Sequence, residues 1–236
     1  MIDNANSSPI EKQYSDHFIK KSQGINDVMG VMSVARWHSD PKLLAVTLSR
    51  YKFVSKMFQN FESVLEVGAG DCWASRIVLQ TVKKLTLSDF DPIFEAEFYE
   101  RKYNKDTGCE FIIHNFVSNK LSQVYDGIYA LDVLEHIAPS DSEKFLSNIC
   151  GSMSLSGAAI FGMPSLESQK YASEGSKQGH VNCQTGTELY TNLKVHFNNV
   201  FIFSMSDEVV HTGFLPMSHY LLALCVGPLK GRLDNP

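Results

Sequence analysis

Val64-Leu65-Glu66-Val67-Gly68-Ala69-Gly70-Asp71-Cys72-Trp73 is the stretch on which the fold of this chain turns. A short aliphatic run enters it, two glycines interrupt it, and a helical pattern follows, so it reads as strand, turn, helix. Glycines at 68 and 70 permit a tight turn and a close approach of backbone to a ligand. Alone, Gly-x-Gly is a weak sign of a nucleotide site. A dinucleotide fold adds a third glycine three places on, which admits a pyrophosphate at the helix start. Trp73 holds that place here, and an indole there argues against pyrophosphate. Glu66 argues the same way, because its carboxylate repels phosphate and suits an ammonium or a sulfonium.

Outward from this turn, short apolar runs alternate with helical segments. Strands are expected over 63–67, 84–88, 110–114, 126–131, 158–163, 200–204 and 220–226, and helices over 73–83, 93–103, 140–153 and 187–197. This alternation predicts an α/β fold: a doubly wound, mostly parallel seven-stranded sheet with an antiparallel last strand. No helix fits between the last two strands, and a parallel pair needs a crossover, so they are expected to pair antiparallel. Upstream, 14–60 is mostly helical, with breaks near Gly24, Gly30 and Ser39-Asp40-Pro41. Asp40 suits a helix cap, with Pro41 in the first turn. Residues 1–12 read as frayed.

The chain has 236 residues, 44% of them hydrophobic, which is enough for a full core. A net charge of -5 with no Lys/Arg stripe argues against nucleic acid as a partner. Five cysteines, at 72, 109, 150, 183 and 225, form no Cys-x-x-Cys pair and read as reduced thiols of a cytoplasmic protein. The first 21 residues lack the apolar core of a signal peptide, and no apolar run is long enough for a bilayer, so no membrane partner is expected.

With Glu66-Val-Gly68-Ala-Gly70-Asp-Cys72 in place, the chain resembles the class I (Rossmann-like) S-adenosylmethionine-dependent methyltransferases. Their first motif is an acidic residue followed by x-Gly-x-Gly-x-Gly; Cys72 stands where the last glycine belongs. Three further features follow in the family's order. Asp89, about 20 residues on, falls at the acidic end of the next strand, and the resemblance implies that it accepts the ribose hydroxyls. Asp91 competes for that role but suits a helix cap before Pro92. His114-Asn115-Phe116 falls where the family reads the adenine, which implies Asn115 as a partner of the adenine amine. Phe90 and Phe116 are candidates to sandwich the ring, with a core role the alternative for each. Tyr125-Asp-Gly-Ile-Tyr-Ala-Leu-Asp132-Val-Leu-Glu135-His136-Ile resembles the segment common among members acting on small molecules. The resemblance covers 60–163. The helical pattern makes 1–60 a preamble and the alternation makes 61–236 the cofactor domain, with loop insertions near 164–184 and 205–219 where the βα rhythm breaks. Glu66, Gly68, Gly70, Asp89, Phe90, Asn115, Phe116 and Asp132 are the expected cofactor residues.

Methyl transfer from a sulfonium mainly requires alignment and exclusion of water. An oxygen acceptor also needs a base near neutral pKa, for which histidine suits. His136, His180 and His211 are the candidates, the latter two in the long polar loops. For His136, support of the pocket is the main alternative. Arg50 or Tyr51, in the preamble, is a candidate for the cofactor carboxylate. No His/Asp/Glu group has metal-ligand spacing in the sequence, so no metal is expected. The expected function is methyl transfer to a small polar acceptor, such as a sugar, nucleotide sugar or natural-product intermediate, through O or N. The rivals are a non-catalytic cofactor-fold regulator and an NAD-dependent oxidoreductase. The sequence gives no oligomeric state.

Overall fold

A computed structural model describes residues 9–22, 28–100 and 108–229. Among them one sheet forms the centre, with strands β1 (Val64–Val67), β2 (Leu85–Asp89), β3 (Cys109–Ile113), β4 (Tyr125–Leu131), β5 (Met153–Pro164), β6 (Phe197–Met205), β7 (Val210–His211) and β8 (Tyr220–Pro228). The order is β3-β2-β1-β4-β5-β8-β6-β7. Strands β1 to β5 pair in parallel, and β8 inserts antiparallel between β5 and β6. The fold is the expected α/β arrangement with eight strands in place of seven. The additional strand is β7, two residues of the loop after β6 that fold back as a hairpin.

Helices α1 (Ser15–Ser22), α2 (Val31–Ser39) and α3 (Pro41–Met57) precede the sheet. Helix α3 starts where the sequence places it: the Asp40 carboxylate accepts the Lys42 N–H at 3.1 Å and Pro41 is its first residue. The expected break near Gly24 lies outside the described residues. The expected helix over 73–83 is much shorter, with only Arg76–Leu79 (α4) helical. Tertiary bonds take the backbone that would have continued it. Asn60 N–H donates to Thr81 O, and Lys83 N–H donates to Phe61 O. Helix α5 (Ile93–Glu100) is followed by α6 (Pro139–Gly151), α7 (Glu174–Gly179) and α8 (Gly186–Lys194); the end of the expected 93–103 helix lies outside the described residues.

Alternation along the strands sorts the core into two layers. Leu65, Val67, Ile128 and Ala130 pack with Phe145, Ile149, Leu189 and Leu193 of α6 and α8. Val64, Leu85, Leu87, Tyr129 and Leu131 pack with Val54, Phe58, Val78 and Phe98 on the opposite face. Glu66 shares the parity of Val64, so β1 drives a carboxylate into this second layer, against α3.

The two long loops join at their bases. Ser165, fully buried, forms a parallel β-bridge with Gln184, donates its N–H to His219 O at 3.1 Å, and donates its hydroxyl to Ser218 O at 2.5 Å. The first loop is not structureless: 166–171 forms a 3-10 turn and α7 follows it. It exits into α8 through a capping box, in which Thr185 Oγ1 accepts the Glu188 N–H and Glu188 accepts the Thr185 N–H. Thr185→Ala is expected to cost about 1 kcal/mol, read as a lower denaturant midpoint with an unchanged slope.

Candidate active site

Strand order reverses between β1 and β4, and in such sheets ligands bind outside the carboxyl ends of the strands at that point. The turn after β1 and the turn after β4 stand there side by side. Gly68 has φ +73°, and a Cβ on it would come within 2.4 Å of Val133 Cγ2. Gly70 has φ +52°, and its Cβ would approach Met32 Sδ at 3.0 Å. The glycines therefore admit two protein neighbours: the residue after Asp132 and a methionine of α2. Cys72 also lies in the left-handed region, with φ +58°. A glycine is the residue free of strain there; Cys72 costs about 1–2 kcal/mol of backbone strain.

Asp71 ties the preamble to this turn. Its Oδ2 accepts the Ser33 N–H of α2 at 2.7 Å, and its Oδ1 accepts the Trp73 N–H at 3.2 Å. Helix α2 begins at Gly30, which has no side chain of its own to cap it. A buried Asp71 supplies the missing cap from 38 residues away. A Cβ on Gly30 would sit 2.3 Å from Asp71 Cγ, so only glycine fits. Sequence reasoning passed over Asp71, because a capping carboxylate this remote leaves no local signature.

At the end of β2, Asp89 is buried, with Oδ2 accepting the Gly70 N–H at 3.0 Å and Oδ1 accepting the Asp91 N–H at 3.1 Å. Among the described residues no Lys or Arg pairs with it. Each oxygen keeps a lone pair for a further donor. Asp91 takes the competing role: its Oδ1 accepts the Ile93 N–H at 3.0 Å, at the start of α5. Phe90 is 70% exposed beside Asp89, whereas Phe116 is 2% exposed and belongs to the core with Phe145. Of the two proposed ring partners, only Phe90 presents an open face. The Asn115 carbonyl oxygen accepts the Val117 N–H at 2.8 Å and so shapes its own turn.

Glu66 is 1% exposed. Tyr51 donates to its Oε1 at 2.9 Å and Tyr129 donates to its Oε2 at 2.6 Å. Burial pushes its pKa up to about 7, against the lowering effect of these hydroxyls, and Asp71 adds to the rise. Tyr51 therefore serves Glu66, and Tyr129, its register partner on β4, was the unnoticed half of the clamp. A carboxyl held at about 7 when folded and near 4.5 when unfolded favours the fold fully only below the lower value. That contribution is lost as pH rises through about 7, a fall of about 3 kcal/mol. Unfolding midpoints between pH 5 and 8 are expected to show this slope in the parent chain and a flatter one in Glu66→Gln.

Asp132, expected at the cofactor, is held by the preamble. Arg50 Nη1 donates to its two oxygens at 3.0 and 2.8 Å, and Arg36 Nη2 lies 3.9 Å away. The Arg50 guanidinium also lies 3.6 Å over the Tyr220 ring. Asp132 has φ +57° and donates its N–H to Gly162 O at 2.9 Å. Arg50, a candidate for the cofactor carboxylate, is thus committed to Asp132.

The three candidate histidines separate. His211 sits on β7, the edge strand, where its Nδ1 accepts the Gly213 N–H. His136 and His180 meet, with ring centroids 5.2 Å apart at 65°. His180 is carried there by the first long loop, whose Val181 and Asn182 N–H groups both donate to Glu135 O, at 2.9 and 3.0 Å. Burial, and then the charge of His136, lower the His180 pKa. Burial and the neighbouring Asp132 hold the Glu135 carboxyl well above the usual range, against the opposing pull of Arg50. Glu135, His136 and His180 form a group with metal-ligand proximity, one that sequence spacing hid because 44 residues separate the histidines. A cavity of about 580 Å³, lined by Leu48, Trp73 and Arg76, lies between α3 and α4, away from these groups.

No family model and no curated protein matches the chain. Solved structures do match it. The N-methyltransferase NodS from Bradyrhizobium japonicum WM9, in complex with S-adenosylhomocysteine, aligns at a TM-score of 0.62 and 15% identity, over 82% of this chain and 91% of that one. DhpI, in a complex with S-adenosylmethionine and HEP, aligns at 0.60 and 15% identity, over 93% and 99%. A TehB-like S-adenosylmethionine-dependent methyltransferase from Corynebacterium glutamicum aligns at 0.55 and 16% identity, over 92% and 97%. At these identities the likeness speaks for the architecture: the chain has the fold of the class I Rossmann-like methyltransferases.

Proposed function

We propose that this chain is a methyltransferase that uses S-adenosylmethionine and acts on a small polar acceptor. The observation that carries the reading is Asp89: a buried carboxylate at the end of β2, fixed by the Gly70 N–H, with lone pairs left for two ribose hydroxyls. The donor set fits the cofactor in other respects. Phe90 offers an exposed ring beside Asp89, and Met32 a flexible cover over Gly70. The structural neighbours include an N-methyltransferase and a mitomycin 7-O-methyltransferase, which supports both acceptor atoms equally. When bound, the cofactor supplies an electrophilic methyl group on sulfur.

The residues of the chain would bind and enclose. Asp89 holds the ribose, and helix α2 closes over the glycine turn through Asp71 and Met32. His136 and His180 stand at the turn after β4, where they can bind or polarise an acceptor; His211 stands apart. The polar segment 164–171 and the net charge of -5 favour a small hydrogen-bonding acceptor over nucleic acid. Among the described residues no helix is long and apolar enough to cross a membrane.

Calorimetric titration with S-adenosylhomocysteine tests the reading. Saturable binding at micromolar concentration is expected. Absence of binding at millimolar ligand, or a larger thermal shift with NAD than with S-adenosylhomocysteine, overturns it.

A further inference from the structure

Among the described residues, one carboxylate oxygen of Glu135 and one ring nitrogen each from His136 and His180 lie within 4.8 Å of one another. We propose that these three side chains bind a divalent transition-metal cation, through the Glu135 carboxylate and the Nε2 atoms of His136 and His180.

Glu135 supplies the first argument. It is 1% exposed, and no other residue donates a hydrogen bond to either carboxylate oxygen. Buried polar groups are nearly always satisfied, and a carboxylate left without donors is costly to bury. Arg50, whose charge opposes the burial of Glu135, gives it no hydrogen bond and spends its Nη1 on Asp132. A cation between Glu135 and the two rings removes the deficit.

The histidines supply the second. His136 Nδ1 lies 2.9 Å from Gly179 O, and His180 Nδ1 lies 2.9 Å from Gln169 Oε1. A carbonyl oxygen only accepts, so each Nδ1 carries the proton and each Nε2 keeps its lone pair. The Gln169 amide is oriented by its own nitrogen, which donates to Ser165 O at 3.2 Å. Metal-bound histidines show this arrangement, with the second ring nitrogen donating to a carbonyl or carboxylate that sets tautomer and ring angle. The two rings meet edge to face, so they converge without stacking face to face.

The third argument is preorganisation. The Val181 and Asn182 N–H groups clamp Glu135 O, which fixes the residue after His180 against the residue before His136. Two imidazoles and one carboxylate suit ions of the zinc, manganese, iron and cobalt class, and fall short of the all-oxygen cages of calcium and magnesium. Three protein ligands leave coordination positions open. An acceptor oxygen taking one of them would have its proton made more acidic by the metal; that step alone rests on the methyltransferase reading. A histidine bound through Nε2 has no lone pair left to act as a base.

The full chain, stripped with a chelator, is titrated with zinc sulfate by calorimetry and with manganese chloride by electron paramagnetic resonance. One saturable equivalent and a raised melting temperature are expected. Glu135→Gln and His180→Ala are expected to weaken binding at least about tenfold, with circular dichroism showing both variants folded. Absence of saturable binding up to millimolar metal overturns the proposal, as does binding that neither variant weakens. A parallel S-adenosylhomocysteine titration separates the two readings. Metal binding without S-adenosylhomocysteine binding sinks the methyltransferase reading and supports this site; the reverse result supports the methyltransferase reading and sinks this site.

Discussion

Asp89→Ala is expected to weaken S-adenosylhomocysteine binding by about a hundredfold or more. Two hydroxyls of a ribose donating to one carboxylate make two charge-assisted hydrogen bonds, each worth about 1.5–3 kcal/mol. Together they amount to about 3–6 kcal/mol, and every 1.4 kcal/mol is about tenfold in affinity. The substitution has a second consequence. The Gly70 and Asp91 N–H groups both lose their acceptor, so the turn that frames the site loosens as well. Asp89→Asn separates the two effects. Its amide oxygen can still accept one N–H, so the melting temperature should recover while affinity stays low. Unchanged affinity in the alanine variant would remove Asp89 from the cofactor site.

Arg50→Met is the second large effect, and it concerns stability. Arg50 has 15% side-chain exposure, against 28% for its partner Asp132. Breaking a buried pair by removing one member costs about 3–5 kcal/mol, because the remaining charge is left uncompensated. Asp132 keeps some access to water and a distant Arg36 at 3.9 Å, so the lower end, about 3 kcal/mol, is expected. In a chain of this length that corresponds to a melting temperature lower by about 6–12 °C. Glu135 also loses the cation that counters its burial. Asp132→Asn added to Arg50→Met removes the orphaned charge and should recover part of the loss. A double variant no more stable than Arg50→Met would show that the packing of Arg50 on Tyr220, not the ion pair, holds the preamble in place.

Much of the fold was legible because its signals are local. Val64–Val67 is aliphatic, short and followed by two glycines, and β1 lies there. Asp40-Pro41 marks a helix start through the hydrogen bond of one side chain to a neighbour two residues on. Asp89 is legible for a related reason, since strand, turn and helix fix the distance from the glycines to the end of the next strand. Local patterning failed where partners are remote. The helix expected over 73–83 gives way to one turn because Asn60 and Phe61 take the backbone at Thr81 and Lys83. Phe90 and Phe116 are both phenylalanines beside a strand end, yet one is open and the other is core, and only the packing of α6 against β4 and β5 makes the difference.

The glycine turn shows the same division. The sequence by itself determined that backbone must come close to something at 68 and 70, since only glycine takes those angles without strain. It also determined the α/β alternation, and with it the edge of the sheet where a ligand would sit. Only the tertiary structure decided what comes close: Val133 at Gly68, Met32 at Gly70, and Asp71 capping a helix that begins at Gly30. It likewise decided that Asp132 belongs to Arg50, that Glu66 belongs to two tyrosines, and that His180 joins His136 and Glu135 while His211 does not. The reason is physical. Periodicity and turn chemistry act over a few residues and are written in order along the chain, whereas charge pairing and ligand convergence depend on which segments the closed core brings together.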